Sequence, residues 1–179
     1  MVNLDSLIQS IGDKPMPPVE QWDPEFCGEL DLFIKADGTW LYSGTPLTRE
    51  KIKHLFSRVI KKQSEEYFLV TPVEKVAIQV EWQPFLIVDF NQLQVEQQNV
   101  FQFIDNFNNK ILLTDKSQLE MDEFQSQKLP ILRVRRNLFA NFSRNCYYRL
   151  IEQAEKQFHQ EKNKLQIISN DITFCLGQY

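Results

Sequence analysis

The spacing of apolar and polar residues changes period several times along this chain, and each change marks an element. Glu29 to Lys35 alternates as a strand, and Asp37-Gly38 follows as a two-residue turn, because both central positions of a tight hairpin favour φ > 0. Trp40 and Tyr42 resume the alternation on one face of a second strand. Gly44, Thr45 and Pro46 stop it, and Thr48 stands where a helix cap belongs. Ile52, Leu55, Phe56, Val59 and Ile60 then fall at i, i+3, i+4, i+7 and i+8, which predicts an amphipathic helix to about Lys62.

Beyond that helix the period returns to two. Tyr67 to Thr71 reads as a strand ended by Pro72, and Lys75 to Trp82 alternates with Val76, Ile78, Val80 and Trp82 on one face. Phe85 to Phe90 is a further strand. The Gln-rich run from Asn91 to Asn99 is the candidate domain boundary, although Leu93 and Val95 also fit an edge strand. Phe101, Phe103 and Phe107 mark the next strand, and Asn108-Asn109 turns it into Ile111 to Thr114. Asp115 to Lys128 is polar and acidic and reads as a loop. Leu132 and Val134 point inward from a strand that sends Arg133 and Arg135 to its other side. Ser143 caps a helix to about Lys162, and Ile167 to Leu176 folds back as a hairpin around Asn170-Asp171. At the N-terminus Leu4, Leu7, Ile8 and Ile11 share one face of a short helix that Gly12 ends, before the stiff connector Lys14-Pro15-Met16-Pro17-Pro18.

Two segments repeat a pattern. Thr48-Arg49 precedes Ile52, Leu55, Phe56 and Val59, and Ser143-Arg144 precedes Tyr147, Leu150, Ile151 and Ala154 at the same offsets. With strands on both sides of each helix, the economical reading is an α+β chain made of two similar small domains of antiparallel strands, each with one main helix. The expected boundaries are an N-terminal helix and connector over 1–19, a first domain over 20–95 and a second over 96–179. A single continuous sheet with two helices on one face is the alternative.

Composition narrows the class without naming a function. A chain that is 42% hydrophobic with 14 Phe against 5 Gly has ample material for a packed core. A net charge of -4 argues against a dedicated nucleic-acid binder, which shows a basic domain. The N-terminus lacks the basic start and long apolar core of a signal peptide, and no apolar run reaches the roughly 20 residues of a membrane span. Cys27, Cys146 and Cys175 are an odd, scattered set without a CxxC pair, so they read as buried free thiols, and the protein as cytoplasmic. No cofactor is implied, and isolated His54 and His159 offer no metal site.

Three groups of residues carry candidate chemistry. Thr71-Pro72-Val73-Glu74-Lys75 concentrates a hydroxyl, a carboxylate and an ammonium at a strand corner. Buried, Glu74 and Lys75 would shift toward neutrality and serve as acid, base or ligand contacts; exposed, they are a hairpin corner with surface charges. Arg133 and Arg135 lie two apart on a strand, and Arg144 sits in the first turn of a helix, where free N–H groups attract anions. These three suit a phosphate grip, and plain surface ion pairs are the alternative. Trp40 and Tyr42 suit either a stacking platform for a base ring or the core.

The motifs that carry a resemblance are DGTWLYSGTPLTR (Asp37 to Arg49), LFSRVI (Leu55 to Ile60), YFLVTPVEK (Tyr67 to Lys75) and VEWQPF (Val80 to Phe85). VRRNLFANFSRNCYYRL (Val134 to Leu150) continues it. In these the chain resembles the bacterial domain of unknown function 1285 family, which has no established activity. The resemblance implies a two-domain α+β fold with internal duplication, the second domain resembling a pleckstrin-homology-like barrel. It also implies a pocket at the domain interface for a nucleotide-type ligand, with a role in signalling. The expected function is therefore a ligand-binding or signalling module for a nucleotide-type or phosphorylated small ligand, with a protein partner downstream. Trp40, Tyr42, Arg49, Thr71, Glu74, Lys75, Arg133, Arg135 and Arg144 are the expected ligand contacts. A protein-interaction scaffold, and an enzyme using Glu74 and Lys75, are the alternatives.

Overall fold

A computed structural model describes residues 16–157 and 164–177. The expected N-terminal helix lies outside the described residues. The chain divides into two compact units, 1–84 and 85–179.

In the first unit, β1 (Phe26–Ile34), β2 (Trp40–Tyr42) and β3 (Thr45–Pro46) form one antiparallel meander. β4 (Ile60–Gln63), β5 (Glu66–Val70) and β6 (Lys75–Val80) form another, and α1 (Glu50–Ser57) joins the two. The meanders meet where β1 pairs in parallel with β6, giving the order β3-β2-β1-β6-β5-β4. The chain turns at Asp37-Gly38, but through a three-residue loop over 36–38 rather than a two-residue one. Gly38 alone takes a positive φ there (83°), its N–H donates to the Lys35 carbonyl at 3.0 Å, and Asp37 Oδ1 accepts the Thr39 N–H at 2.9 Å. That amide holds the Asp37 carboxyl below its ordinary range. Leu30, Leu32 and Ile34 of β1 pack with Trp40, Leu69 and Val76 as the core.

α1 is shorter than its pattern suggests. Arg49, not Thr48, occupies the N-cap position, and no side chain caps it. The helix ends at Ser57, and Ile60 pairs with Leu69 in β4. Val59 and Ile60 are β-branched, so strand pairing wins over a helix they fit only by spacing.

The second unit repeats the topology. β7 (Phe85–Val95), β8 (Gln98–Asp105) and β9 (Lys110–Leu112) make one meander, and β10 (Leu119–Phe124), β11 (Gln127–Arg135) and β12 (Leu138–Phe142) the other. β12 pairs in parallel with β7, so the order is β10-β11-β12-β7-β8-β9. Numbered within each unit, both sheets run 3-2-1-6-5-4, which is the duplication expected from the sequence. The expected repeat of helices has a different footing. α1 lies between the meanders, whereas α2 (Arg144–Gln157) follows the sixth strand, and a 3-10 turn at Lys116–Gln118 stands where α1 would.

Three expectations change here. The Gln-rich run is no boundary: β7 continues through it, Leu93 opposite Val100 and Val95 opposite Gln98, so the units divide after Pro84. Asp115 to Lys128 is no loop; most of it is β10, the Gln125-Ser126 turn and the start of β11. Of the three cysteines only Cys146 is buried, and Cys27 and Cys175 are exposed.

α2 and the hairpin of β13 (Leu165–Ser169) and β14 (Ile172–Gly177) cover the core face of the second sheet. Cys146, Leu150 and Ala154 of α2 are each at most 1% exposed, at the i, i+4, i+8 spacing of one helix face. Phe90, Phe101, Phe103 and Phe142 pack edge-to-face or offset beneath them, with centroids 5.5–6.1 Å apart. Ser169 fastens the hairpin to the sheet: its hydroxyl accepts the Phe101 N–H at 2.9 Å and donates to the Leu113 carbonyl at 2.5 Å.

Candidate functional site

The first unit holds six of the expected ligand contacts and gives most of them structural work. Trp40 is 1% exposed and belongs to the core, so it offers no free stacking face. Tyr42 is half-buried and Arg49 exposed. The Thr71 hydroxyl accepts the Glu74 N–H at 3.0 Å and the Val73 N–H at 3.3 Å, while Thr71 N–H donates to the Glu74 carbonyl at 2.8 Å. Those bonds make the TPVEK stretch a self-closed corner between β5 and β6. Glu74 and Lys75 make no bond to each other there. Lys75 Nζ donates to Gln63 Oε1 at 3.3 Å and sits 5.4 Å from the Phe68 ring centre.

The three arginines of the second unit are not brought together. A bulge in β11 sets Arg133 opposite Phe139 but Arg135 opposite Leu138, the adjacent residue of β12. Neighbours on a strand point to opposite faces, so the bulge sends the two guanidinium groups to opposite sides of the sheet. Arg133 pairs with Glu120 at 2.6 Å and lies over the Phe139 ring. Arg135 lies 5.0 Å from the Phe85 ring centre. Burial pushes its guanidinium down to about 10, and the Asp105 charge opposes that shift. Asp105, 1% exposed, accepts the Phe107 N–H, the Asn109 N–H and the Asn109 amide at 2.8–2.9 Å. Arg144 begins α2 and stacks on Tyr148.

What the second unit does contain is a cavity of about 650 Å³ between the β10–β11 hairpin, β13–β14 and α2. Among the described residues Met121, Lys128, Leu129, Tyr147, Leu165 and Cys175 line it. The Tyr147 hydroxyl donates to the Leu176 carbonyl at 3.1 Å, and burial raises the phenol above its ordinary range. Gly177 closes the same side, where a Cβ would stand 3.5 Å from that hydroxyl. A smaller space of about 230 Å³ on the first unit is lined by Glu29, Glu65 and Glu66 among others, which repel an anion. The larger cavity falls within the roughly 300–1,000 Å³ typical of small-molecule sites, and the smaller one does not.

None of the nine expected contacts lines the larger cavity. Its residues come from five elements, β10, β11, α2, β13 and β14, and the hairpin that supplies Met121 and Lys128 carries an acidic pattern that reads as a loop. The one legible signal was Tyr147, on the apolar stripe of a predicted helix. Among the described residues no helix is long and apolar enough to cross a membrane.

Comparison with known proteins agrees with the two-unit division. Residues 17–83 match the family model described as Domain of unknown function (DUF1285), N-terminal domain, and residues 84–176 match the model of the DUF1285 C-terminal domain. The crystal structure of a DUF1285 family protein from Silicibacter pomeroyi is similar, with a TM-score of 0.84 and 30% identity over 99% of this chain and 96% of that one. A DUF1285 family protein from Shewanella baltica is 32% identical, with a TM-score of 0.56 over 69% of this chain and 92% of that one. No protein with a curated description matches.

Proposed function

The chain belongs to the DUF1285 family, and on that premise we propose that it is a binding module for a small organic anion of nucleotide or other phosphorylated type. The observation that carries this reading is the cavity of about 650 Å³ in the second unit. Among the described residues it combines apolar walls (Met121, Leu129, Leu165) with a cation, Lys128, and a phenol, the mixture small-molecule sites use for affinity and orientation. Six meandering strands followed by a helix over the core face also support the finer likeness to a pleckstrin-homology-like barrel, and with it a role in signalling. Occupancy of the cavity is the signal that a downstream protein partner reads.

Thermal denaturation of the full chain against mono-, di- and cyclic nucleotides tests the proposal. A ligand at a hundred times its Kd stabilises by about 2.7 kcal/mol, and Cys175→Trp, an exposed position on the cavity wall, abolishes that gain. No shift with any of them at saturation overturns the nucleotide reading.

A second reading rests on β10, which ends the order of the second sheet and offers six residues for β-augmentation by a partner strand. Glu120, Asp122 and Glu123 along it are the charges that blunt such edges, so the partner strand must be basic. A pull-down that loses its partner when Met121→Pro is introduced supports this reading, and retention of the partner removes it.

A further inference from the structure

We infer that the cavity of the second unit selects an amphipathic ligand with a single anionic group, and that Lys128 makes this selection. The inference rests on the binding-module reading and narrows its ligand class. Of the described residues lining the cavity, Lys128 alone carries a formal charge. Among the described residues its ammonium has no ion pair or hydrogen bond, whereas Arg133 and Arg149 are each matched to a carboxylate. Its cross-strand neighbour in the β10–β11 register is Glu123. That carboxylate lies on the same face and weakens the local positive field without forming an ion pair with Lys128.

Among the described residues the rest of the lining offers no second cation to a second anionic group. The Tyr147 hydroxyl has spent its proton on the Leu176 carbonyl, so it presents only lone pairs to a ligand. Leu165 is 8% exposed, and Met121 and Leu129 add further apolar surface. A second negative group would meet there no second cation, only the Gln127 amide as a neutral side-chain donor, which returns less than a charged partner. Arg133, Arg135 and Arg144, which would suit a polyphosphate, are held instead against Phe139, Phe85 and Tyr148. The ligand the site fits has one carboxylate or one phosphate at the Lys128 end and a ring or short chain toward Tyr147 and Leu165. A nucleoside monophosphate fits this description, and a triphosphate does not.

The test is calorimetric titration of the full chain with four probes: 4-phenylbutyrate, its neutral amide, adenosine monophosphate and adenosine triphosphate. The acid is expected to bind at least tenfold more tightly than the amide, and the monophosphate more tightly than the triphosphate. Lys128→Ala should remove the preference for the acid while the amide binds as before; Lys128→Arg should keep it. Equal binding of acid and amide, tighter binding of the triphosphate, or a preference that survives Lys128→Ala overturns the inference and leaves the binding module standing. If none of the four binds the unaltered chain, the binding-module reading itself falls, and Cys175→Trp supplies the control: binding it does not diminish lies outside this cavity.

Discussion

In the first unit a helix, α1, joins the two meanders; in the second the same join is a 3-10 turn, and the long helix comes after the sixth strand. The turn at Lys116–Gln118 is held by a capping box, in which Asp115 Oδ1 accepts the Ser117 N–H at 2.7 Å and Gln118 Oε1 accepts the Asp115 N–H at 2.8 Å. Both joins deliver the fourth strand to the far edge of the sheet, so the order 3-2-1-6-5-4 survives either. The comparison teaches that the sheet is the repeated object and the helices are not. It also explains why the cavity belongs to the second unit, since only there do a trailing helix and an added hairpin enclose space beside the sheet.

The two cores should fail alike when their largest side chains are removed. Trp40→Ala in the first unit and Phe103→Ala in the second each leave a cavity where a fully buried ring stood, and each should cost about 3–5 kcal/mol in denaturant titration. A loss below about 1 kcal/mol for one alone would show that its sheet is not packed as the duplicated topology requires.

A smaller effect separates the units. Asp105 ties the β8–β9 turn in the second unit and balances Arg135, and the first unit closes the equivalent β2–β3 turn with Ser43 and Gly44 at φ 48° and 72°. Asp105→Asn should destabilise by about 1–3 kcal/mol, because it removes a buried charge that accepts several donors. Ser43→Ala should change little.

Helix caps sharpen the contrast further. Ser143 Oγ accepts the Cys146 N–H at 3.3 Å, while Thr48 lies outside the N-cap of α1. Ser143→Ala should cost about 1 kcal/mol, and Thr48→Ala less than about 0.5 kcal/mol. Equal losses would restore the helix-to-helix correspondence that the topology denies.

The smallest effect is an alkaline pH dependence of the second unit. Burial pushes the Cys146 thiol up to about 12 from an ordinary 9.0, so its contribution is complete below pH 9 and is lost as pH rises toward the folded value. Arg135, pushed down to about 10 from 12.5, contributes in the opposite sense only above pH 10. Between pH 9 and 10 the thiol dominates, with the raised Tyr147 phenol adding a smaller loss in the same sense, and the thiol's share of the fall should be about 1 kcal/mol at most. Cys146→Ala should remove most of that fall and leave the smaller Tyr147 contribution.

Much of the fold was legible because local chemistry and tertiary need coincide there. The Asp37-Gly38 turn, the alternation of Val76 and Ile78, and the hairpin at Asn170-Asp171 each appear where their residues favour them. Signals failed where the turns are unconventional. Glu96-Gln97 and Gln125-Ser126 adopt φ between 49° and 72° without a glycine, so two real hairpins read as polar linkers. The candidate site was almost illegible. Lys128, Tyr147 and Leu165 have no common motif, and Arg133 and Arg135 were expected on one face because a bulge leaves no mark in the spacing of two residues.

The sequence by itself determined the units of this protein: a doubled α+β plan, the strands that carry its apolar faces, and membership in a family recognisable from a few motifs. Those follow from periodicity and turn chemistry, which act over a few residues. Only the tertiary structure decided that β7 runs on through a Gln-rich stretch, that Trp40 is core, that the arginines part company, and that a cavity opens beside α2. Each of these depends on which strand finds which partner, and that choice is made by packing between residues far apart in the chain.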